Sequence, residues 1–206
     1  MGWPLIIGKI ALAVGTGILI EHGDDIVDGI GKLFTDDPKA KKRGLDKKLK
    51  AAEIAKQYGV GGLPRLTPEQ ARNASAIAEV VNVLEIFTIE QRRAICMALW
   101  VNAWQESRLK AGAHNPKGED SRGLFQVNVR AHPQWKDVDL YNPYKNTAAI
   151  LILALGQSKF LEAVRGQSVL TLTYIVCRYV ERPKDSHEKG LQRAEIARKW
   201  YSPAVL

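Results

Sequence analysis

The chain opens with an almost unbroken apolar run. Residues 3–20 contain one charge, Lys9, and set Gly8, Ala11, Ala13, Gly15 and Gly17 among isoleucines, leucines and valines. About 17 helical residues span about 25 Å, close to the ~30 Å thickness of bilayer hydrocarbon. Small residues four apart, as at Ala11 and Gly15 or Ala13 and Gly17, let two such helices approach closely. The pattern predicts an anchor helix, seated either in lipid or in a protein assembly. A secretory signal fits less well, because the only early cation lies inside the run and no clear small-residue cleavage site follows.

The next segments are amphipathic. Residues 24–34 place acids first, Lys32 late, and Ile26, Ile30 and Leu33 on one side, as a short helix with a favourable dipole requires. Residues 35–44 are charged, contain Pro38 and lack apolar periodicity, which marks a linker. Residues 45–58 return to helical spacing through Leu45, Leu49, Ala52 and Ile54, and the glycines and Pro64 of residues 59–64 break the chain. The division expected is an apolar and amphipathic anchor over 1–34, a charged linker and helix over 35–62, and a helical domain over 63–206.

Within that last part the helix signals are strong. Thr67, Pro68 and Gln70 form a capping box with proline at the first helical position, opening a helix to about Leu84. Thr88 and Gln91 repeat the box. The helix they open is apolar on nearly all sides from Ala94 to Trp104, as a helix at the centre of a core is. It ends on Gln105, Glu106 and Ser107, before a loop with Gly112, Asn115, Pro116 and Gly118. Residues 147–160 and 169–180 predict two more apolar helices with a turn at Gly166, Pro183 stops the second, and residues 188–201 predict a final amphipathic helix. No long alternating strand and no internal repeat is present, so the fold class is mainly α.

Composition changes this picture little. A net charge of +8 over 206 residues suits an anionic partner without choosing among nucleic acid, acidic lipid and acidic wall polymers. The basic stretches at 39–56 and 178–199 also carry acids, as solvated helix faces do, and no nucleic-acid-binding motif accompanies them. Cys96 and Cys177 both sit in apolar helical stretches without a Cys or His at zinc-ligand spacing. Two buried thiols are expected rather than a bridge, and neither a metal nor a cofactor is implied.

The candidate chemistry lies in residues 105–128, QESRLKAGAHNPKGEDSRGLFQVN. A carboxyl at the C-terminal end of a buried helix meets the negative end of the dipole and loses water to Trp104 and Leu109, both of which favour its neutral form. A proton held near neutral pH is what a general acid needs for a poor leaving group such as a glycosidic oxygen. The alternative is an exposed glutamate paired with Arg108. The following loop supplies Asn115, Ser121, Gln126 and Asn128, whose amides and hydroxyl both donate and accept, as N-acetyl and hydroxyl groups of an amino sugar require. Gly118 and Gly123 permit tight turns, while Leu124, Phe125 and Val127 suit a short strand or an anchor to the core.

Glu106-Ser107, followed about fifteen residues later by Gly123-Leu124-Phe125-Gln126, resembles the signature of the lysozyme-like superfamily, in particular soluble lytic transglycosylases and goose-type lysozymes. The likeness covers roughly residues 88–181. Glu119-Asp120-Ser121-Arg122 and Tyr179-Val180-Glu181-Arg182-Pro183 resemble most the versions carried by bacteriophage particles. The resemblance implies a lysozyme-like helical domain in which Glu106 is the acid that cleaves between N-acetylmuramic acid and N-acetylglucosamine. It implies that Ser121, Gln126 and Asn128 contact sugar, and that Tyr179 or Glu181 faces the cleft, although Glu181 suits a surface pair with Arg178 or Arg182 equally well. Tyr141-Asn142-Pro143 with Asn146 corresponds to a stretch that closes the fold, with Asn142 where the family usually has aspartate.

A hydrolase would need a second carboxylate, for which Glu119, Asp120 and Glu181 are the candidates. The acid that the goose-type pattern wants near the end of the loop motif is replaced by Asn128, which favours transglycosylation. The implied partner is peptidoglycan, joined by other virion proteins or self-association through residues 3–20 and possible contact with membrane. The implied location is a phage virion acting in the bacterial envelope during genome ejection. The competing expectations are a structural virion protein with an inactive domain and a cellular membrane-anchored muramidase.

Overall fold

The computed structural model describes residues 65–181 and 184–201. The apolar run 3–20, the segments to residue 58 and the divisions at 34 and 62 lie outside the described residues. The elements in order are α1 (Pro68–Asn82), α2 (Ile89–Ser107), β1 (His114–Asn115), β2 (Ser121–Arg122), β3 (Val127–Asn128), a short 3-10 turn (Pro133–Trp135), α3 (Pro143–Leu155), α4 (Ser158–Arg165), α5 (Val169–Ile175), a π-helical segment (Val176–Glu181) and α6 (Ser186–Trp200). The strands form one small antiparallel sheet in the order β1-β2-β3, with His114 opposite Arg122 and Ser121 opposite Asn128.

Both expected capping boxes form. Thr67 Oγ1 accepts from the Gln70 N–H while Gln70 Oε1 accepts from the Thr67 N–H, and Thr88 and Gln91 do the same for α2. Asn142 starts α3 by accepting from the N–H groups of Tyr144 (3.0 Å) and Lys145 (3.3 Å). A carboxamide oxygen thus does here the capping that an aspartate would do.

α2 is the central element, touching α1, α4, α5, the π segment and α6. Ile95, Cys96, Met97, Ala98, Leu99, Val101 and Ala103 have essentially no exposed surface, which is why this helix is apolar all round. Cys96 and Cys177 are both free and buried.

Two expected helices divide. The run 147–160 lies in α3 and α4, which are bent by 95° at a break. There Gly156 ends α3 and Gln157 is extended (φ −109°, ψ 118°), a step that apolar periodicity does not signal. The run 169–180 continues from α5 into the π segment, whose wider turn changes which side chains face inward. α6 starts at Ser186, slightly before the expected residue 188. Leu124 and Phe125 are buried anchors, and Val127 belongs to β3. Among the described residues, no single helix is long and apolar enough to cross a membrane.

Candidate active site

The end of α2 is fixed from α1. Arg108 and Leu109 both adopt left-handed backbone (φ 57° and 56°), an uncommon conformation for non-glycine residues. Their carbonyls accept from Gln70 Nε2 (2.9 Å) and Asn73 Nδ2 (2.8 Å). Two amide side chains of α1 therefore hold the turn that stops α2 just after Glu106. The Arg108 guanidinium lies over the Trp104 ring, 5.3 Å from its centroid; the pairing of Glu106 with Arg108 does not occur.

Glu106 pairs instead with Arg193 of α6. The same guanidinium also donates to Glu181 at the end of the π segment and to Asn102 Oδ1 at 2.8 Å. Asn102 sits one turn before Glu106 on α2, the spacing that puts two side chains on one face, and its Nδ2 donates to the carbonyls of Ala98 and Thr173. The arrangement is a two-carboxyl, one-guanidinium cluster on a buried carboxamide.

Burial separates the two acids. Side-chain exposure is 20 % for Glu106, 3 % for Glu181 and 7 % for Arg193. Loss of water pushes the Glu181 carboxyl above the usual glutamate range; Arg193 opposes the shift and the Glu106 charge adds to it. The strongly desolvated acid is therefore Glu181, where helix position alone had pointed to Glu106. Glu181 forms no surface pair with Arg178: its side chain is buried against Arg193, and Arg178 Nη1 donates to Ser186 Oγ at 2.6 Å, while Arg182 lies outside the described residues.

These groups line a cleft of about 490 Å³. Gln105 and Glu106 contribute from α2; Asn115, Glu119, Ser121, Phe125, Gln126 and Asn128 from the loop and sheet; and Glu181, Lys184, Lys189, Gln192 and Arg193 from the opposite side. The loop is seated by Asn146, fully buried on α3. Its Oδ1 accepts from the Phe125 N–H and its Nδ2 donates to the Arg122 carbonyl, each at 2.9 Å.

Of the candidate residues, Glu106, Ser121, Gln126, Asn128, Glu119 and Glu181 come together around this cleft. Several of their polar atoms also hold the loop. Gln126 Nε2 donates to the carbonyls of Ala113 and Gly123, Asn128 Oδ1 accepts from the Arg130 and Ala131 N–H groups, and Ser121 Oγ donates to Glu119 Oε2. Two candidates lie outside the lining. Asp120 faces a bidentate Arg122 (2.9 and 2.6 Å) and His114 Nε2 (3.0 Å), whose hydrogen bonds hold its carboxyl down at about 2. Tyr179 accepts from Lys159 Nζ (2.8 Å), which also lies over its ring.

Arg193 escaped the sequence reading, although a signal existed. The buried positions of α6 are Ser186, Gly190, Arg193, Ala197 and Trp200, alternating steps of four and three. An arginine on an otherwise small or apolar stripe is a buried cation that needs a carboxylate. The place of Gln192, Lys184 and Lys189 at the cleft was not legible in the same way, because all three are exposed and such residues commonly sit on the outer face of a helix.

A family model described as a lysozyme-like domain matches residues 88–157. The match runs from the N-cap of α2 through α3 and contains Glu106, the 119–128 loop and Asn146; Glu181 and Arg193 lie beyond it. The described residues are mainly helical, and residues 88–157 are similar to a lysozyme-like domain. No curated protein and no solved structure matches the chain.

Proposed function

We propose that this protein is a lytic transglycosylase that cuts peptidoglycan glycan strands between N-acetylmuramic acid and N-acetylglucosamine, with Glu106 as its acid and base. The observation that carries the proposal is the position of Glu106: a partly exposed carboxyl at a helix end, beside a buried acid, in a cleft walled by amide and hydroxyl groups. Glu106 protonates the glycosidic oxygen, which takes the bonding electron pair as the bond to the muramic C1 breaks. The muramic 6-hydroxyl attacks C1 and returns its proton to Glu106, closing a 1,6-anhydro ring. One carboxyl suffices for both transfers, and Asn128 is a loop brace where a second acid would be wanted.

Glu119 favours a second reading. It is the carboxylate of the loop that lines the cleft, held by Ser121, and as a base for an attacking water it would make the enzyme a hydrolase. Digestion of purified peptidoglycan with the full chain decides between them. Anhydromuramic ends in the mass spectrum support transglycosylation, and reducing ends overturn it. Glu106→Gln is expected to abolish digestion while the circular dichroism spectrum is unchanged; a variant that still digests the wall overturns the assignment of Glu106.

The likeness of residues 119–122 and 179–183 to phage-borne versions supports a virion-associated enzyme that opens the wall locally during genome ejection, with residues 1–34 as its anchor. Detection of the chain in purified particles, and loss of wall clearing by particles carrying Glu106→Gln, test this placement.

A further inference from the structure

We propose that Glu181 and Arg193 make Glu106 one half of a carboxyl pair that holds a single proton, with Arg193 as the positioning residue that brings both carboxyls onto one guanidinium. The inference rests on the assignment of Glu106 above and adds the device that keeps this acid loaded. Four observations carry it. Arg193 is almost completely buried and donates to Glu106, Glu181 and Asn102 together. Glu181 Oε1 is buried without a hydrogen-bond partner among the described residues. The cleft reaches both carboxyls. The π segment ends on Glu181, and such wide turns recur where a side chain must be re-aimed into a functional site.

The charge balance explains why a proton stays. An ion pair with Arg193 alone would hold Glu106 charged and unable to donate. Two carboxylates facing one guanidinium leave one negative charge uncompensated in a desolvated place, and like charges at such a site do not both ionise readily. The proton that remains stays with the pair, consistent with the upward displacement of Glu181 by burial and by the Glu106 charge. In the cleavage step that proton leaves Glu106 for the glycosidic oxygen as the C1–O bond breaks, and the hydroxyl attacking C1 gives one back. Arg193 balances the carboxylates between the two transfers.

The other ionisable groups around the pair do not replace this role. Cys177, beneath it on the π segment, is pushed up to about 12 by burial and remains a thiol. Lys189 and Lys184 approach from the α6 side, and Glu119 from the loop. All three surround the pair in both wild type and variants, so a comparison isolates Glu181.

The test compares the full-length wild type with Glu181→Gln, Arg193→Gln, Arg193→Lys and Glu106→Gln, following kcat and KM on solubilised glycan strands across pH. Glu181→Gln keeps the shape but leaves Glu106 alone with Arg193. The alkaline limb of kcat is expected to move down by at least about one pH unit, which is about a tenfold loss on that limb, with KM nearly unchanged and activity regained at lower pH. Arg193→Lys keeps a cation without the fork, and is expected to lose kcat while restoring part of the activity lost in Arg193→Gln. A Glu181→Gln enzyme with the wild-type limb overturns the proposal; if Glu106→Gln is inactive in the same experiment, the general-acid assignment survives that failure. A readout independent of activity and of variant folding is the carboxyl 13C titration of glutamate-labelled wild type. One glutamate titrating well above the others supports the pair, and its absence overturns it.

Discussion

Gly123 lies directly against the Asn146 carboxamide. With φ at +78°, a Cβ on Gly123 would overlap the Asn146 side chain and the Leu140 carbonyl. The close approach lets Asn146 reach both the Phe125 N–H and the Arg122 carbonyl, so the loop carrying Ser121, Gln126 and Asn128 is fastened to α3 at this point. Gly123→Ala adds a left-handed backbone penalty of about 1–2 kcal/mol to an overpacking cost of about 1–3 kcal/mol. The expected loss is about 2–5 kcal/mol in urea unfolding, with wall digestion reduced as the loop shifts. A variant as stable and active as wild type would mean that the loop is not seated as described.

The other side of the contact gives a separate expectation. Asn146→Leu is similar in size but leaves a buried amide hydrogen and a buried carbonyl without their partner. At about 1–3 kcal/mol for each of the two unsatisfied groups, the loss is about 2–6 kcal/mol. Hydrogen exchange should accelerate first at the Phe125 amide, whose N–H now bonds Asn146, and uniform exchange across the loop and α2 would contradict that local role.

Asp120 and Glu119 are adjacent in sequence and differ in environment. The Arg122 and His114 hydrogen bonds hold Asp120 at about 2, below its ordinary 3.8. A lowered folded-state value contributes stability that is present above pH 3.8 and is lost as pH falls through about 2. Asp120→Asn is therefore expected to flatten the loss of stability over that acid window, measured as the urea midpoint at successive pH values, and to leave wall digestion nearly intact. Glu119→Gln touches the cleft itself. If Asp120→Asn abolished digestion and Glu119→Gln did not, the choice of cleft carboxylate would be reversed.

The parts of this fold that could be read from sequence are those governed by local chemistry. Thr67 with Gln70 and Thr88 with Gln91 declare helix starts because each box satisfies backbone donors within a few residues. The all-apolar face of α2 declares burial for a similar reason. The break between α3 and α4 was not legible, since apolar residues continue across Gly156 and Gln157 and only tertiary packing sets the 95° bend. The place of Glu106 at the end of α2 and beside the loop was legible from the local sequence. Its partner was not, because Arg193 lies 87 residues away and long-range ion pairs leave no local spacing. The same separation hides which acid is buried: Arg193 of α6 meets both carboxyls, Glu181 is far less exposed than Glu106, and no local spacing signals the difference.

Gly190 decides how closely α6 can deliver Arg193. A Cβ there would stand 2.7 Å from the Tyr174 ring, whose hydroxyl is bonded to His187 Nδ1 at 2.8 Å. Gly190→Ala gains about 1 kcal/mol of helix propensity and costs about 1–3 kcal/mol by overpacking, so a net loss of about 1 kcal/mol is expected. Activity should fall further than stability, because a helix pushed off Tyr174 carries the guanidinium away from both carboxyls. Thermal unfolding and digestion rates measured together check this; a stabilised and fully active variant would show that α6 has room to spare.

Glu181 makes stability depend on pH in the direction opposite to Asp120. Burial raises its folded-state value above the ordinary 4.5 of a glutamate. In the unfolded chain the carboxyl ionises freely as pH passes 4.5, while in the folded chain it keeps its proton longer. The folded state therefore binds the extra proton, and its advantage is fully present below pH 4.5 and is lost as pH rises through the raised value. Glu181→Gln removes the ionisation and keeps the side chain's size, so the difference in unfolding free energy between variant and wild type should move in the variant's favour as pH increases from 4.5. Urea unfolding of both proteins from pH 4 to about 9 measures that difference directly. A difference independent of pH would show that Glu181 ionises alike in the folded and unfolded chains, and a difference of opposite slope would mean that Arg193 more than offsets its burial.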